Sequence, residues 1–127
     1  MELSRAIESL KASELCLNES LVNSAASRAY YAMFQAAQAA LEAEGFVRSE
    51  WSHKGLHSSF NRDLIHQRKL YSRFLRDYLA SALAVRQAAD YGEAGVSVRI
   101  ARRQVRRAAE FLKITQEVIS RGKAGQS

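Results

Sequence analysis

The chain has no proline and only one cysteine, Cys16, in 127 residues. Without proline, no residue lacks its backbone donor or clashes with a preceding helical turn, so long helices meet no covalent obstacle. A single thiol excludes an internal disulfide and any zinc site built on cysteines. No apolar run approaches the roughly 18 residues of a membrane span, so no membrane association is expected. Met1-Glu-Leu-Ser carries neither the basic n-region nor the apolar h-region of a signal peptide, which makes a cytoplasmic location the expectation.

What is present is 47% hydrophobic and 25% charged, an ordinary globular balance. The length suits one domain with one core. Charge is unevenly distributed. Residues 1–60 carry five Lys/Arg against seven Asp/Glu, and residues 61–127 carry fourteen against six. A basic C-terminal half favours an anionic partner, either nucleic acid or an acidic protein surface. Fourteen of the nineteen basic residues are Arg, whose planar fork matches phosphate where Lys offers a point charge.

Hydrophobic spacing predicts helices at about 3–17, 22–44, 69–89 and 98–120, with a short helix through Leu56, Phe60, Leu64 and Ile65. Gly45 sits where a C-cap glycine belongs, and Ser97 can cap the last helix. The expected fold is all-α: an antiparallel up-and-down bundle of four long helices plus one short helix, over residues 1–120, with 121–127 as a flexible tail. The alanines of the second helix permit close approach of a neighbour. With the aromatic stripe of the fourth helix, they offer more apolar surface than a small bundle covers alone, so a homodimer is expected.

Two segments look over-specified for a core. Ser24 to Phe34 contains Arg28, Tyr30 and Tyr31 among alanines, and Arg86 to Gly92 contains Asp90 and Tyr91. A core seldom accepts Arg without a carboxylate or acceptor network. A buried network is therefore expected between the second and fourth helices, pairing Arg28 with Asp90 or Arg86 with tyrosine hydroxyls. If one side stays open, Arg28, Tyr31, Arg86, Asp90 and Tyr91 would line a nucleotide or RNA site. On the last helix, Arg99, Arg102, Arg103, Arg106 and Lys113 fall within an arc of about 100°. No acidic residue interrupts this stripe before Glu110, so it suits a polyanion. His53 and His57 stand four apart, but no carboxylate lies between them as in the zinc-protease pattern. No metal and no cofactor are expected.

These motifs resemble the HEPN domain family. One branch has the same order: Ser27-Arg-Ala-Tyr-Tyr-Ala-Met-Phe34, then His53-Lys-Gly55, then Arg86-Gln-Ala-Ala-Asp-Tyr-Gly92, across about residues 5–120. The resemblance implies a dimerising bundle, commonly encoded beside a minimal nucleotidyltransferase as a two-component or toxin–antitoxin pair. Family ribonucleases carry an Arg, four to six intervening residues and a His on the late helix. Here Arg86 and Tyr91 occupy that helix and the His is missing. Arg48 to His53 has the spacing but lies mid-chain, and chance alone supplies about one such match. The expected function is thus a module binding nucleotide, RNA or a minimal nucleotidyltransferase. A metal-independent endoribonuclease, with Arg86 on the phosphate and Tyr91 orienting substrate, is the alternative. A purely structural adaptor is the third.

Overall fold

The computed structural model describes residues 2–125 and is all-α. Its helices are α1 (Glu2–Asn18), α2 (Val22–Ala43), α3 (His53–Ser59), α4 (Phe74–Tyr91) and α5 (Val98–Gly125). The long helix α2 is the central element and packs against each of the other four. Its Ala25, Ala26, Ala29, Ala32, Ala36, Ala37 and Ala40 are buried, and their small side chains let the surrounding backbones approach closely. Tyr30, Met33 and Leu41 fill the remaining space and are fully enclosed. These alanines are covered within the chain, so they offer no surface for a second copy.

α5 buries Ala101, Val105, Ala108, Phe111, Leu112 and Ile119, the three-and-four spacing of a helix with one apolar face. It runs on to Gly125, past the expected end near residue 120, with no proline to interrupt it. Gln126 and Ser127 of the expected tail lie outside the described residues.

Two turns follow from local chemistry. Gly45 takes φ +91°, with Phe46 N–H donating to Leu41 O (2.9 Å) and Gly45 N–H to Glu42 O (3.0 Å), the paired bonds of a Schellman cap. Ser52 Oγ accepts from Gly55 N–H at 2.9 Å and caps α3. α3 then passes directly into a π-helical stretch, Phe60–Gln67, widened turns that sequence periodicity does not announce. Lys69 closes this stretch at φ +55°, and α4 begins at Phe74 rather than near residue 69. Tyr71 therefore lies in the connection, buried with its ring 5.3 Å from that of Phe60.

Candidate functional site

α4 lies on α2, and its buried residues are Leu75, Leu79 and Ala82. The last turn of α4 and the first three of α2 leave an open groove of about 570 Å³ between them. Asn23, Ser24, Ser27, Arg28 and Tyr31 line it from α2, and Ala89, Asp90 and Tyr91 from α4. The structure thus brings Arg28, Tyr31, Asp90 and Tyr91 to one concave surface. Arg28 is exposed, and so is Tyr91, at 75%.

Arg86 adjoins this groove. Its Nε stands 2.9 Å from Asp90 Oδ2, one helical turn away, with the side chains 16% and 27% exposed. The Nε–H does not point along that line and has no hydrogen-bond acceptor, so the contact is one of charge alone. The guanidinium carbon lies 5.3 Å from the Tyr31 ring centre and 5.8 Å from that of Tyr91, within cation–π range. The expected pairing across helices is corrected here. Asp90 engages Arg86 of its own helix, because the i,i+4 spacing already brings the two charges together. Arg28 stays in solvent. No tyrosine hydroxyl bonds to Arg86 among the described residues.

Of the tyrosines on α2, the one whose hydroxyl finds partners is Tyr30. Its ring is fully enclosed, and its Oη lies 2.7 Å from His53 Nδ1 and 3.1 Å from His57 Nε2. The His53 ring packs 5.4 Å from Phe34 and 6.4 Å from Tyr31, so it meets the Arg86 environment through Tyr31. Burial raises the Tyr30 phenol far above its ordinary range, Tyr31 adds to this, and Arg86 opposes it. Burial lowers His53, and the positive charge of Arg86 lowers it further. Burial also lowers His57, with His53 adding to the effect. Both imidazoles are held toward the neutral form. Their spacing alone raised only the question of a metal; the buried phenol between them was not legible in the sequence.

On α5, Arg99, Arg102, Arg103 and Arg106 are all exposed, and none forms an ion pair among the described residues. Arg107 instead lies over the Tyr78 ring at 4.9 Å, and Tyr78 donates its hydroxyl to Glu110 Oε1 at 2.6 Å. The carboxylate nearest the stripe is thereby occupied by a phenol. The start of α5 is tied to the start of α2. Asn23 Oδ1 accepts from Val96 N–H (2.9 Å), and Ser97 Oγ from Ile100 N–H (3.2 Å). The arginine stripe therefore begins beside the loop that is clamped to the groove's first residue. Gly92 is required here, since a Cβ would stand 2.7 Å from Ala88 O.

Among the described residues no helix is long and apolar enough to cross a membrane. Residues 2–121 match the family model of the HEPN domain. The chain is 33% identical over 120 residues to the UPF0332 protein glr0978 of Gloeobacter violaceus, covering 93% of each chain.

Proposed function

The chain belongs to the HEPN domain family, and from that premise we propose that it is a binding module for the phosphates and bases of RNA or a nucleotide. The observation that carries this reading is Arg86, half-buried beside Tyr31 and Tyr91 at the edge of an open groove that also holds exposed Arg28. The planar fork of an arginine offers paired donors that match a phosphate. Exposed Tyr91 offers a face on which a base stacks, worth about 1–3 kcal/mol. The unpaired arginines of α5 extend the positive surface, and an acidic partner such as a minimal nucleotidyltransferase would use the same charge. The module acts as a homodimer, with α4 as the contact helix. Ala80, Ala84 and Ala88 stand exposed at four-residue steps along it, a surface low enough for two helices to meet.

One observation favours metal-independent ribonuclease activity as the second reading. The late helix lacks a histidine, but His53 reaches the electrostatic field of Arg86 from α3. Anisotropy with a fluorescent single-stranded RNA, in chelator, tests both. Wild type should bind, and Arg86→Gln should weaken binding at least about tenfold, the scale of one charge-assisted contact. Replacing Arg99, Arg102, Arg103 and Arg106 by Ser should flatten the salt dependence. Equal binding by all three proteins at every salt concentration refutes the binding reading, and intact RNA after prolonged incubation refutes the second.

A further inference from the structure

The Tyr30 hydroxyl has one proton and faces two ring nitrogens, His53 Nδ1 at 2.7 Å and His57 Nε2 at 3.1 Å. It can donate to only one of them, so the other must donate to it. The shorter contact suits the phenol as donor to His53 Nδ1, with His57 Nε2–H donating to the phenol oxygen. His53 then carries its own proton on Nε2, and His57 Nδ1 is bare.

One further proton fits this chain without loss. Added at His57 Nδ1, it leaves both hydrogen bonds as they are. Added on the His53 side, it reverses them: His53 Nδ1–H donates to the phenol, the phenol donates to His57 Nε2, and His57 carries its proton on Nδ1 in place of Nε2. In both forms His53, Tyr30 and His57 together hold four protons on these atoms. A second extra proton would aim two N–H groups at one phenol oxygen and leave the phenol proton no acceptor. It would also place two cations across one buried hydroxyl.

We propose that Tyr30, His53 and His57 form a unit that stores a single proton, and that an anion in the groove beside Arg86 draws that proton in. The groups facing the imidazoles are Tyr30 and Tyr31 from α2, Arg86 from α4, and each other on α3. No carboxylate pairs with either ring among the described residues. Burial opposes protonation of both rings, Arg86 adds to it at His53, and an anion bound to Arg86 offsets that added part. The anion half rests on the phosphate-binding reading above; the single-proton half rests on the hydrogen-bond geometry alone. The groove would then hold a phosphodiester, whose charge is constant over this range, more tightly in mild acid than at neutral pH, a dependence that the arginines alone cannot supply because they stay charged throughout.

Histidine-labelled protein followed by NMR from pH 8 to 5 tests the store without ligand. Both rings should follow one shared titration in wild type and separate titrations in Tyr30→Phe. Arg86→Gln should shift the wild-type curve to higher pH, as a bound anion would. Two independent full titrations in wild type, or no shift in Arg86→Gln, overturn the proposal. Calorimetry with a short oligouridylate, in buffers of different ionisation enthalpy, tests the coupling. Proton uptake on binding is expected, with affinity rising by up to about tenfold per pH unit on acidification. Binding without proton uptake overturns the coupling alone. Absence of binding at any pH refutes the phosphate-binding reading and the coupling with it, while the NMR titration still decides the single-proton store.

Discussion

Removing the Asp90 carboxylate should cost little stability, and removing Arg86 should cost more. A fully buried Arg–carboxylate pair broken from one side costs about 3–5 kcal/mol, because an uncompensated charge stays in the core. Here the side chains are 16% and 27% exposed and share one helix. Water can reach the charge that is left behind. Asp90→Asn should therefore cost about 0.5–1 kcal/mol, the range of a partly exposed helical pair. Arg86→Ala loses the same pair, two aromatic contacts of about 0.5–1 kcal/mol each, and the packing of its aliphatic stem. A total of about 2–3 kcal/mol follows. Urea denaturation of both variants at neutral pH gives the comparison directly. A loss above about 3 kcal/mol for Asp90→Asn would mean that the pair is sealed from solvent and that the groove beside it is closed. Equal losses for the two variants would refute the role of the aromatic contacts.

Gly95→Ala should destabilise by about 2 kcal/mol, since a left-handed φ of +66° disfavours a Cβ and the added atom would stand 2.6 Å from Asn23 Oδ1. Gly122→Ala, in α5 with open space around it, should instead stabilise by about 0.5–1 kcal/mol; thermal melts of the pair test both signs. The lowered His53 and His57 make stability fully present above about pH 6.5 and lost as pH falls from there through their folded values, because the unfolded chain takes up protons that the folded cluster resists. Melting temperatures from pH 7.5 to 5 should fall in wild type and fall less in a His53→Gln, His57→Gln variant; identical slopes would show that other groups carry the acid response.

The helices were legible because their apolar spacing repeats. α1, α2 and α5 begin within a residue or so of the expected positions, and Gly45 and Ser97 sit at the caps that their chemistry predicts. Failures occur where backbone geometry departs from the α-helical period. The π-helical stretch at Phe60–Gln67 and the left-handed Lys69 shift the start of α4 to Phe74 and take Tyr71 off that helix. The alanines of α2 are small and apolar, which the sequence shows directly. Whether such a face meets its own chain or a second copy depends on how many neighbours crowd it, and α2 has four.

The site divides along the same line. Arg28, Tyr31, Asp90 and Tyr91 stood out as residue types that a core does not need, and they do meet at one groove. Their pairing did not follow from their identity. A carboxylate four residues from an arginine on one helix is already close to its partner, so Asp90 had no need of Arg28 on another helix. Tyr30 shows the converse. Its ring belongs to the core, and the sequence marks it as one of the residues a core does not need without showing which partners its buried hydroxyl finds. The partners are His53 and His57, 23 and 27 positions away, brought there by the packing of α3 on α2. Two histidines four apart suggest a shared metal only while the space between them is empty. With a phenol filling that space, they become the two ends of a hydrogen-bonded chain, and the chemistry they support changes from coordination to proton storage beside Arg86.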